Sequence, residues 1–297
     1  MIPLLIALPG NEQLAARIAK GMGAELGEAE FRHFPDGETY LRLLSGVSSR
    51  EVVLVATLDR PDSKFLPLLF AAATARELGA SRVGLIAPYL AYMRQDRRFR
   101  AGEPEAARLF AKEISRMADW LVTVDPHLHR IQSLSQVYTI PASTIHAAKW
   151  LAQWIAREIE SPLLVGPDEE SAQWVEAVAK DAGAPFVVLQ KQRHGDADVE
   201  VSVPNVERWR NRTPVLVDDI ISTARTMIAT LGHLQKAGMK PAVCVGVHAV
   251  FASGAYDALR AAGPARIVTT NTIWHETNAI DLSPDLAGAA NALIARN

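Results

Sequence analysis

Cysteine is nearly absent from this sequence. The 297 residues include one, Cys244, so an internal disulfide is excluded. Cys244 lies in an apolar run from Ala242 to Val247. Because a nucleophilic thiol needs polar or charged neighbours that favour the thiolate, this setting predicts a buried strand residue without a catalytic role.

The sequence also lacks an excess of charge of one sign and a long apolar run. Lys and Arg number 31 against 33 Asp and Glu, so no overall field favours nucleic acid or an anionic membrane, and we expect neither as a partner. The apolar start, Met1 to Gly10, is too short to cross a bilayer and lacks the basic residues of an export signal. We therefore expect a cytoplasmic protein.

What the sequence does contain is a regular alternation of β-rich and amphipathic runs. Its length suits two domains of about 150 residues each. The alternation predicts α/β domains, each a mainly parallel sheet flanked by helices, and consecutive apolar residues indicate strands buried on both faces. We predict strands at Ile2–Leu8, Val52–Thr57, Val83–Pro88, Trp120–Val124, Leu163–Val165, Phe186–Leu189, Pro214–Val217, Val243–Val247 and Arg266–Thr270.

Three amphipathic segments predict helices that cover these sheets. Pro104 begins the first, whose inner stripe is expected to comprise Ala106, Leu109, Phe110, Ile114 and Met117. Ser143 or Thr144 is expected to cap the second. The third is predicted at Thr226–Lys236.

Two adjacent carboxylates at the end of an apolar strand form the strongest functional pattern. Asp218 and Asp219 follow this strand, and residues 222–226 then offer hydroxyl and backbone N–H groups at the start of a helix. Ligands bind at this edge of an open α/β sheet, and a helix N-terminus binds phosphate. The pattern therefore predicts that the carboxylates hold sugar hydroxyls or metal-bound water beside a phosphate. Solvated aspartates before a capped helix are the alternative.

Two polar segments of the first half also suit a phosphorylated ligand. A local basic cluster fits a triphosphate, with a solvated run of surface charge as the alternative: Arg94, Arg97, Arg98 and Arg100. Asp125, His127 and His129 occupy alternate positions after a strand. In an extended chain, these three side chains would face the same way, toward a cation or phosphates.

A further basic pair follows a strand of the second half. Lys191 and Arg193 lie at i and i+2, so they would project together from an extended chain. Acidic residues follow at positions 196, 198 and 200. Composition alone would make this segment an exposed, solvated hairpin.

These segments resemble the ribose-phosphate pyrophosphokinase family, within the type I phosphoribosyltransferase fold group. The resemblance rests on Phe34-Pro-Asp-Gly-Glu-Thr39, Pro88-Tyr-Leu-Ala-Tyr-Met-Arg-Gln-Asp-Arg97, Asp125-Pro-His127, Pro167-Asp168, Lys191-Gln-Arg193 and Asp218-Asp-Ile-Ile-Ser-Thr-Ala-Arg-Thr226. It implies transfer of the pyrophosphoryl group of Mg-ATP to the C1 hydroxyl of ribose 5-phosphate, which gives phosphoribosyl pyrophosphate and AMP.

The resemblance also implies a role for each segment. ATP is expected at Asp36, Gly37, Glu38, Arg94, Gln95, Asp96 and Arg97. Mg²⁺ is expected at His127 and Asp168, and catalysis at Lys191 and Arg193, on a loop that closes over the reacting phosphates. Ribose 5-phosphate is expected at Asp218, Asp219, Ser222, Thr223, Ala224, Arg225 and Thr226.

The same resemblance implies two tandem phosphoribosyltransferase-like domains. We place an N-terminal domain for ATP at residues 1–142 and a C-terminal domain for ribose 5-phosphate at 143–282. A last helix, 283–297, is expected to pack on the N-terminal domain. The active site is expected at the domain interface, and the protein is expected to form a homo-oligomer.

The sequence departs from the family pattern at two places. Arg225 stands where the family has glycine, and Glu169-Glu170-Ser171 replaces a usual His-Gly-Gly. A residue in the first turn of a helix has a negative φ, so we predict a helical Arg225. A phosphoribosyltransferase and a non-catalytic regulatory homologue are the alternative functions, and the pair Lys191 and Arg193 favours the pyrophosphokinase.

Overall fold

The computed structural model describes residues 2–166, 172–194, 198–202 and 206–296, with only the backbone described at 173, 190–194, 198–202 and 207. The chain divides into two compact units. The first comprises Met1–Ile145, Thr272–Trp274 and Leu282–Asn297, and the second comprises His146–Asn271 and His275–Asp281.

The first unit is built on a parallel sheet. The elements up to residue 145 are β1 (Leu4–Ala7), α1 (Glu12–Met22), β2 (Glu25–Gly27), β3 (Ala29–His33), β4 (Thr39–Leu43), β5 (Glu51–Val55), α2 (Asp62–Glu77), β6 (Arg82–Ile86), α3 (Ala106–Met117), β7 (Trp120–Val124) and β8 (Ala142–Ile145). Six strands form the sheet in the order β2-β1-β5-β6-β7-β8, and β3 pairs with β4 as a separate antiparallel hairpin. The central strands β1, β5 and β7 are buried almost throughout, as expected for a sheet covered on both faces.

The second unit repeats this plan. Its elements, with the final helix of the chain, are α4 (Ala148–Glu158), β9 (Pro162–Gly166), α5 (Ala172–Asp181), β10 (Phe186–Val188), β11 (Gln190–His194), β12 (Asp198–Ser202), β13 (Thr213–Ile220), α6 (Arg225–Lys236), β14 (Val243–His248), α7 (Ala255–Ala261), β15 (Arg266–Thr270), β16 (Asn278–Ile280) and α8 (Ser283–Ile294). Six parallel strands lie in the order β10-β9-β13-β14-β15-β16, and β11 pairs with β12 as an antiparallel hairpin.

Close packing fixes two positions in the first unit. A Cβ at Gly84 would lie 2.0 Å from the indole of Trp120 on the neighbouring strand, so the fully buried tryptophan requires glycine there. Helix α8 belongs to this unit and packs against α1. At that contact, a Cβ at Gly21 would come within 2.9 Å of the Cβ of Ala287.

Every predicted strand overlaps an observed one, and the predicted α/β class with mainly parallel sheets is confirmed. The predicted cap at Ser143 or Thr144 is wrong, because both residues lie in β8 and pair with β7. Leu109 is also wrongly placed: it is 58% exposed on the outer face of α3. Among the described residues, no helix combines the length and apolar character needed to cross a membrane.

Candidate functional site

The first-unit residues predicted for ATP begin at the tip of the β3–β4 hairpin. Asp36, Gly37 and Glu38 lie in its turn, where Gly37 has a φ of 91° and donates to the carbonyl of Phe34 at 2.9 Å. The Asp36 carboxylate accepts from the backbone N–H of Glu38 at 3.2 Å. This bond holds the acidic turn in shape, and Phe34 beside it remains 40% exposed.

An arginine packs on two aromatic rings at the base of that turn. The Arg32 guanidinium lies 3.9 Å from the ring centre of Tyr40 and 4.7 Å from that of Phe34, distances that give cation–π attraction. The two rings meet edge to face with centroids 5.8 Å apart. The hairpin therefore presents an exposed ring beside two acidic residues.

In the segment after β6, the predicted arginines are exposed and one acidic residue is buried. Arg94, Gln95 and Arg97 are exposed, whereas Asp96 is buried. The Asp96 carboxylate accepts from the backbone N–H of Arg130 and from its guanidinium, each at 3.2 Å. Because burying an unpaired charge is costly, this bond fixes the position of the loop.

Arg130 was not predicted from the sequence. It joins the loop that carries Arg94 to the segment that follows β7, where His127 and His129 lie. The carbonyl of Gln95 also accepts from the N–H of Ala107 at 3.2 Å, which ties the same loop to the start of α3. The sequence gives no local signal for this partner, because the burial of Asp96 and its need for a cation are evident only in the structure.

The polar residues after β7 do not continue an extended strand. Asp125 has a φ of 32° and its N–H donates to the carbonyl of Ile145 at 3.0 Å. The chain still brings the rings of His127 and His129 together, with centroids 4.8 Å apart. Within the described part of the chain, no three His, Cys, Asp or Glu side chains form a group that could hold a metal ion.

In the second unit, Asp218 and Asp219 lie on β13, one of the two central strands of the sheet. Strand β13 pairs with β9 on one side and β14 on the other, and it continues through Ile220, further than predicted. Asp218 lies opposite Gly246, and both aspartates are half-buried. The side chain of Ile221 packs directly against Gly246. A Cβ at position 246 would lie 2.6 Å from its atoms, so a larger residue would not fit there without a shift.

The loop after these aspartates leads directly into α6. Backbone bonds hold it on both sides, from the N–H of Ile221 to the carbonyl of His248 at 3.0 Å and from the N–H of Ala252 to the carbonyl of Ser222 at 3.0 Å. Ala224 has a left-handed φ of 57° and supplies no side-chain cap to the helix. The first-turn N–H groups of α6 therefore point toward the loop without a capping side chain, an arrangement that suits an anion.

Hydroxyl and guanidinium groups surround that helix start. Ser222 and Thr226 are half-buried, and Thr223 and Arg225 are exposed. Arg225 is the first residue of α6 and has no positive φ, which confirms the predicted helical conformation.

The predicted catalytic pair lies on a hairpin. Lys191 and Arg193 occupy alternate positions of β11, opposite Val201 and Val199 of β12. Asp168, the second predicted metal ligand, lies outside the described residues.

Comparison with known proteins addresses both units. Residues 4–117 match the N-terminal domain of ribose phosphate pyrophosphokinase, and residues 133–283 match a phosphoribosyl transferase domain. The ribose-phosphate pyrophosphokinase of Methanopyrus kandleri is 32% identical over 292 residues, which cover 98% of this chain and 99% of that protein. The chain belongs to the ribose-phosphate pyrophosphokinase family.

Other members of the family give the same result. The ribose-phosphate pyrophosphokinase of Sulfurisphaera tokodaii is 31% identical over 291 residues, covering 96% of this chain and 99% of that protein. The crystal structure of phosphoribosylpyrophosphate synthetase from Mycobacterium smegmatis superposes over the full length of both chains with a TM-score of 0.86 at 25% identity. The family assignment and the two-domain phosphoribosyltransferase fold are thus confirmed.

Proposed function

We propose that this protein is a ribose-phosphate pyrophosphokinase, which transfers the pyrophosphoryl group of ATP to ribose 5-phosphate. The observation that carries the proposal is the match of both halves to family members over nearly the entire chain. The anomeric C1 oxygen of the sugar attacks the β-phosphorus of ATP, and the bond from that phosphorus to the bridging oxygen of AMP breaks. Phosphoribosyl pyrophosphate, AMP and one proton result.

ATP binds through the first unit in this proposal. The exposed Arg94 guanidinium and Gln95 amide contact the nucleotide, and the Asp96–Arg130 bond holds both on their loop. The hairpin tip 36–38 lies beside the base. A guanidinium suits this role because it donates to phosphate oxygens through two parallel bonds.

Ribose 5-phosphate binds through the second unit. The 5-phosphate accepts from the uncapped N–H groups at the start of α6 and from the hydroxyls of the 222–226 loop. Asp218 and Asp219 accept hydrogen bonds from the ribose hydroxyls and so orient the C1 oxygen. Half-buried carboxylates strengthen such bonds because the local dielectric is below that of water.

Lys191 and Arg193 stabilise the charge that develops in the transition state. Both occupy a two-stranded hairpin rather than a six-stranded sheet, which suits an arm that closes over bound phosphates. A preorganised cation near the leaving oxygen contributes most when the bond to it is breaking. Their role is therefore expected in kcat more than in ATP affinity.

Mg²⁺ is the proposed cofactor. Mg²⁺ prefers oxygen ligands and usually keeps several waters, so it would need only one or two protein groups beside the substrate phosphates. His127 and Asp168 would help to hold the complex. When bound, the ion neutralises phosphate charge and aligns the phosphates. We further expect the reaction in the cytoplasm, and a homo-oligomeric protein.

The test is product analysis. The purified protein is incubated with ATP, Mg²⁺ and ribose 5-phosphate, and AMP and phosphoribosyl pyrophosphate are followed by ³¹P NMR. We expect both products in equal amounts, and neither when ribose 5-phosphate is omitted. The Lys191→Ala variant should lose the activity, and Lys180→Ala, an exposed lysine at the end of α5, should retain it.

Two outcomes would contradict the proposal. Turnover of phosphoribosyl pyrophosphate only when a nucleobase is added would identify a phosphoribosyltransferase. Binding of both ligands without AMP release under any condition would identify a regulatory homologue.

A further inference from the structure

Tyr92 has a backbone conformation that aromatic residues rarely adopt. Its φ is 63°, in the left-handed region, where the Cβ atom of an L-amino acid lies too close to the backbone. A large side chain stays in this region only when its surroundings hold it there. Tyr92 lies in the segment after β6, two residues before Arg94. The contacts of its side chain therefore help to decide the shape of that segment.

Tyr92 is the first residue of the turn that carries Arg94. Its carbonyl accepts from the backbone N–H of Gln95 at 2.9 Å, which closes a four-residue turn with Arg94 third and Gln95 last. On either side of Tyr92, Ala91 and Met93 are each 2% exposed and fix the start of the turn in the core. Because rotation about the N–Cα bond of Tyr92 moves the chain that follows, its φ determines where Arg94 and Gln95 lie.

A hydrogen bond joins the Tyr92 side chain to α2. The phenolic hydroxyl donates to the carboxylate of Asp62, in the first turn of that helix, at 2.5 Å. The bond to Asp62 raises the pKa of the Tyr92 phenol above its ordinary value, so the hydroxyl keeps its proton and remains the donor at neutral pH. A charged acceptor makes such a bond stronger than one between neutral groups.

The ring of Tyr92 packs on α3 without being enclosed. Its centroid lies 4.9 Å from that of Phe110, with 54° between the two ring planes. The ring also lines a groove of about 470 Å³ between α2 and α3, and the residue is only half-buried. Because the groove leaves the ring room to move, packing on Phe110 does not fix its position alone. The hydroxyl bond to Asp62 supplies the second point of attachment.

From these contacts we infer that Tyr92 is a positioning residue for the nucleotide: the bond from its hydroxyl to Asp62 holds the left-handed turn that presents Arg94 and Gln95 to ATP. Without this bond, the backbone at Tyr92 relaxes toward a negative φ, and the two side chains leave their positions. Tyr92 itself contacts neither the reacting phosphate nor the sugar. The inference rests on the proposed function, because it takes Arg94 and Gln95 as ATP contacts.

Steady-state kinetics of Tyr92→Phe test the role of the hydroxyl. This variant loses one oxygen atom and keeps the ring that packs on Phe110. We expect the KM for ATP to rise roughly 3- to 10-fold, the effect of losing one hydrogen bond of ordinary net strength. The kcat and the KM for ribose 5-phosphate should stay within about twofold of wild type, because the loss affects only the binding of ATP.

Tyr138→Phe is the matched control. It also removes one phenolic oxygen from the first unit, but the Tyr138 hydroxyl is buried and has no hydrogen-bond partner among the described residues. Its removal should leave all three kinetic parameters unchanged.

Variants of Asp62 test the bond from its other side. Asp62→Asn keeps an oxygen acceptor and should retain most of the wild-type affinity for ATP. Asp62→Ala removes the acceptor and should raise the KM for ATP as much as Tyr92→Phe does. The double variant Tyr92→Phe/Asp62→Ala should be no worse than either single variant, because both changes remove the same bond. Additive losses in the double variant would show that the two residues act separately and would overturn the inference.

Limited proteolysis reports on the turn without any activity. Trypsin cleaves after arginine, Arg94 and Arg97 are exposed, and cleavage of a folded protein depends on how often the local backbone opens. With cut sites identified by mass spectrometry, we expect Tyr92→Phe to be cleaved in this segment several-fold faster than wild type, and elsewhere at the wild-type rate. Tyr138→Phe should be cleaved as wild type is.

The two measurements distinguish failure of the inference from failure of the proposed function. A wild-type protein that releases no AMP from ATP and ribose 5-phosphate would contradict the proposed function. A wild-type protein that releases AMP, with a Tyr92→Phe variant that has an unchanged KM for ATP or an unchanged cleavage rate, would overturn the inference alone. An equal rise in KM for both substrates would also overturn it, because it would indicate a general structural defect.

Discussion

The bond between Asp96 and Arg130 gives the most direct test of how the loop proposed to bind ATP, which carries Arg94 and Gln95, is positioned. Asp96 has a side chain that is 4% exposed and accepts from the backbone N–H and the guanidinium of Arg130, whereas the Arg130 side chain is 51% exposed. Asp96→Ala removes both acceptors. The backbone N–H bond to a charged acceptor contributes about 1.5–3 kcal/mol, and the half-exposed guanidinium adds less than about 1 kcal/mol.

The expected loss is therefore about 2–3 kcal/mol of the free energy of unfolding. For a protein of this size, that corresponds to a fall in Tm of roughly 4–12 °C. The loop carrying Arg94 and Gln95 loses its tether, so the KM for ATP should rise several-fold, with the KM for ribose 5-phosphate little changed. Differential scanning calorimetry and initial-rate kinetics measure the two effects.

Two further variants distinguish an effect on the position of this loop from the loss of a direct contact with ATP. Arg94→Ala should raise the KM for ATP without changing Tm, because Arg94 is exposed. Arg157→Ala, which removes an exposed ion pair to Glu158 in the second unit, should change neither. Asp96→Ala with wild-type Tm and wild-type ATP kinetics would refute the reasoning.

Four more experiments test the proposed site and the buried thiol. Lys191→Ala should lower kcat by at least ~10²-fold with ATP affinity nearly unchanged, and normal turnover in steady-state assays would exclude a catalytic arm. Asp218→Asn should weaken ribose 5-phosphate binding far more than ATP binding in titration calorimetry, and equal losses would point instead to a folding defect. Arg225→Gly should retain activity with a several-fold higher KM for ribose 5-phosphate and a weaker salt dependence, and tighter sugar binding would show that the arginine obstructs the site. Burial raises the pKa of the Cys244 thiol to about 12, so an aromatic disulfide reagent should label it at pH 8 only after unfolding, and rapid labelling of the native protein would contradict its burial.

The sequence predicted the buried strands well because their signal is strong and local. Trp120–Val124 was predicted with its observed bounds, and its side chains are buried throughout. The short strands were missed for a physical reason. Strand β8, with Ser143 and Thr144, has half-buried positions and no apolar run, so its extended conformation depends on pairing with β7.

The inner face of α3 was predicted only in part. Phe110 and Ile114 are buried as periodicity requires, but Leu109 lies on the opposite face. A leucine beside a predicted stripe is assigned to the core by default, because apolar character alone does not show where the buried face of the helix ends. The same ambiguity applies to α2, whose two apolar faces give no single stripe.

Among the candidate site residues, those with a local sequence pattern were identified and those linked over a long sequence distance were not. Asp218, Asp219 and the loop after them were selected as candidates because an acid pair after an apolar run contradicts the hydrophobic pattern. Arg130 was missed because its partner Asp96 lies 34 residues away, and no local spacing connects them. Long-range polar pairs of this kind become evident only when the fold brings their segments together.

Arg225 shows how the loop accommodates a residue where the family resemblance places glycine. The left-handed conformation falls one residue earlier, at Ala224, and Arg225 begins α6 with helical geometry. A left-handed φ costs an alanine ~1–2 kcal/mol, while a helical φ suits arginine well. The left-handed conformation thus falls on Ala224, whose side chain is a single carbon atom, and the larger Arg225 has an ordinary helical conformation. The exposed guanidinium can then lie beside the helix start without straining the loop, so the arginine adds a positive charge beside the proposed phosphate-binding loop and begins the helix with ordinary geometry.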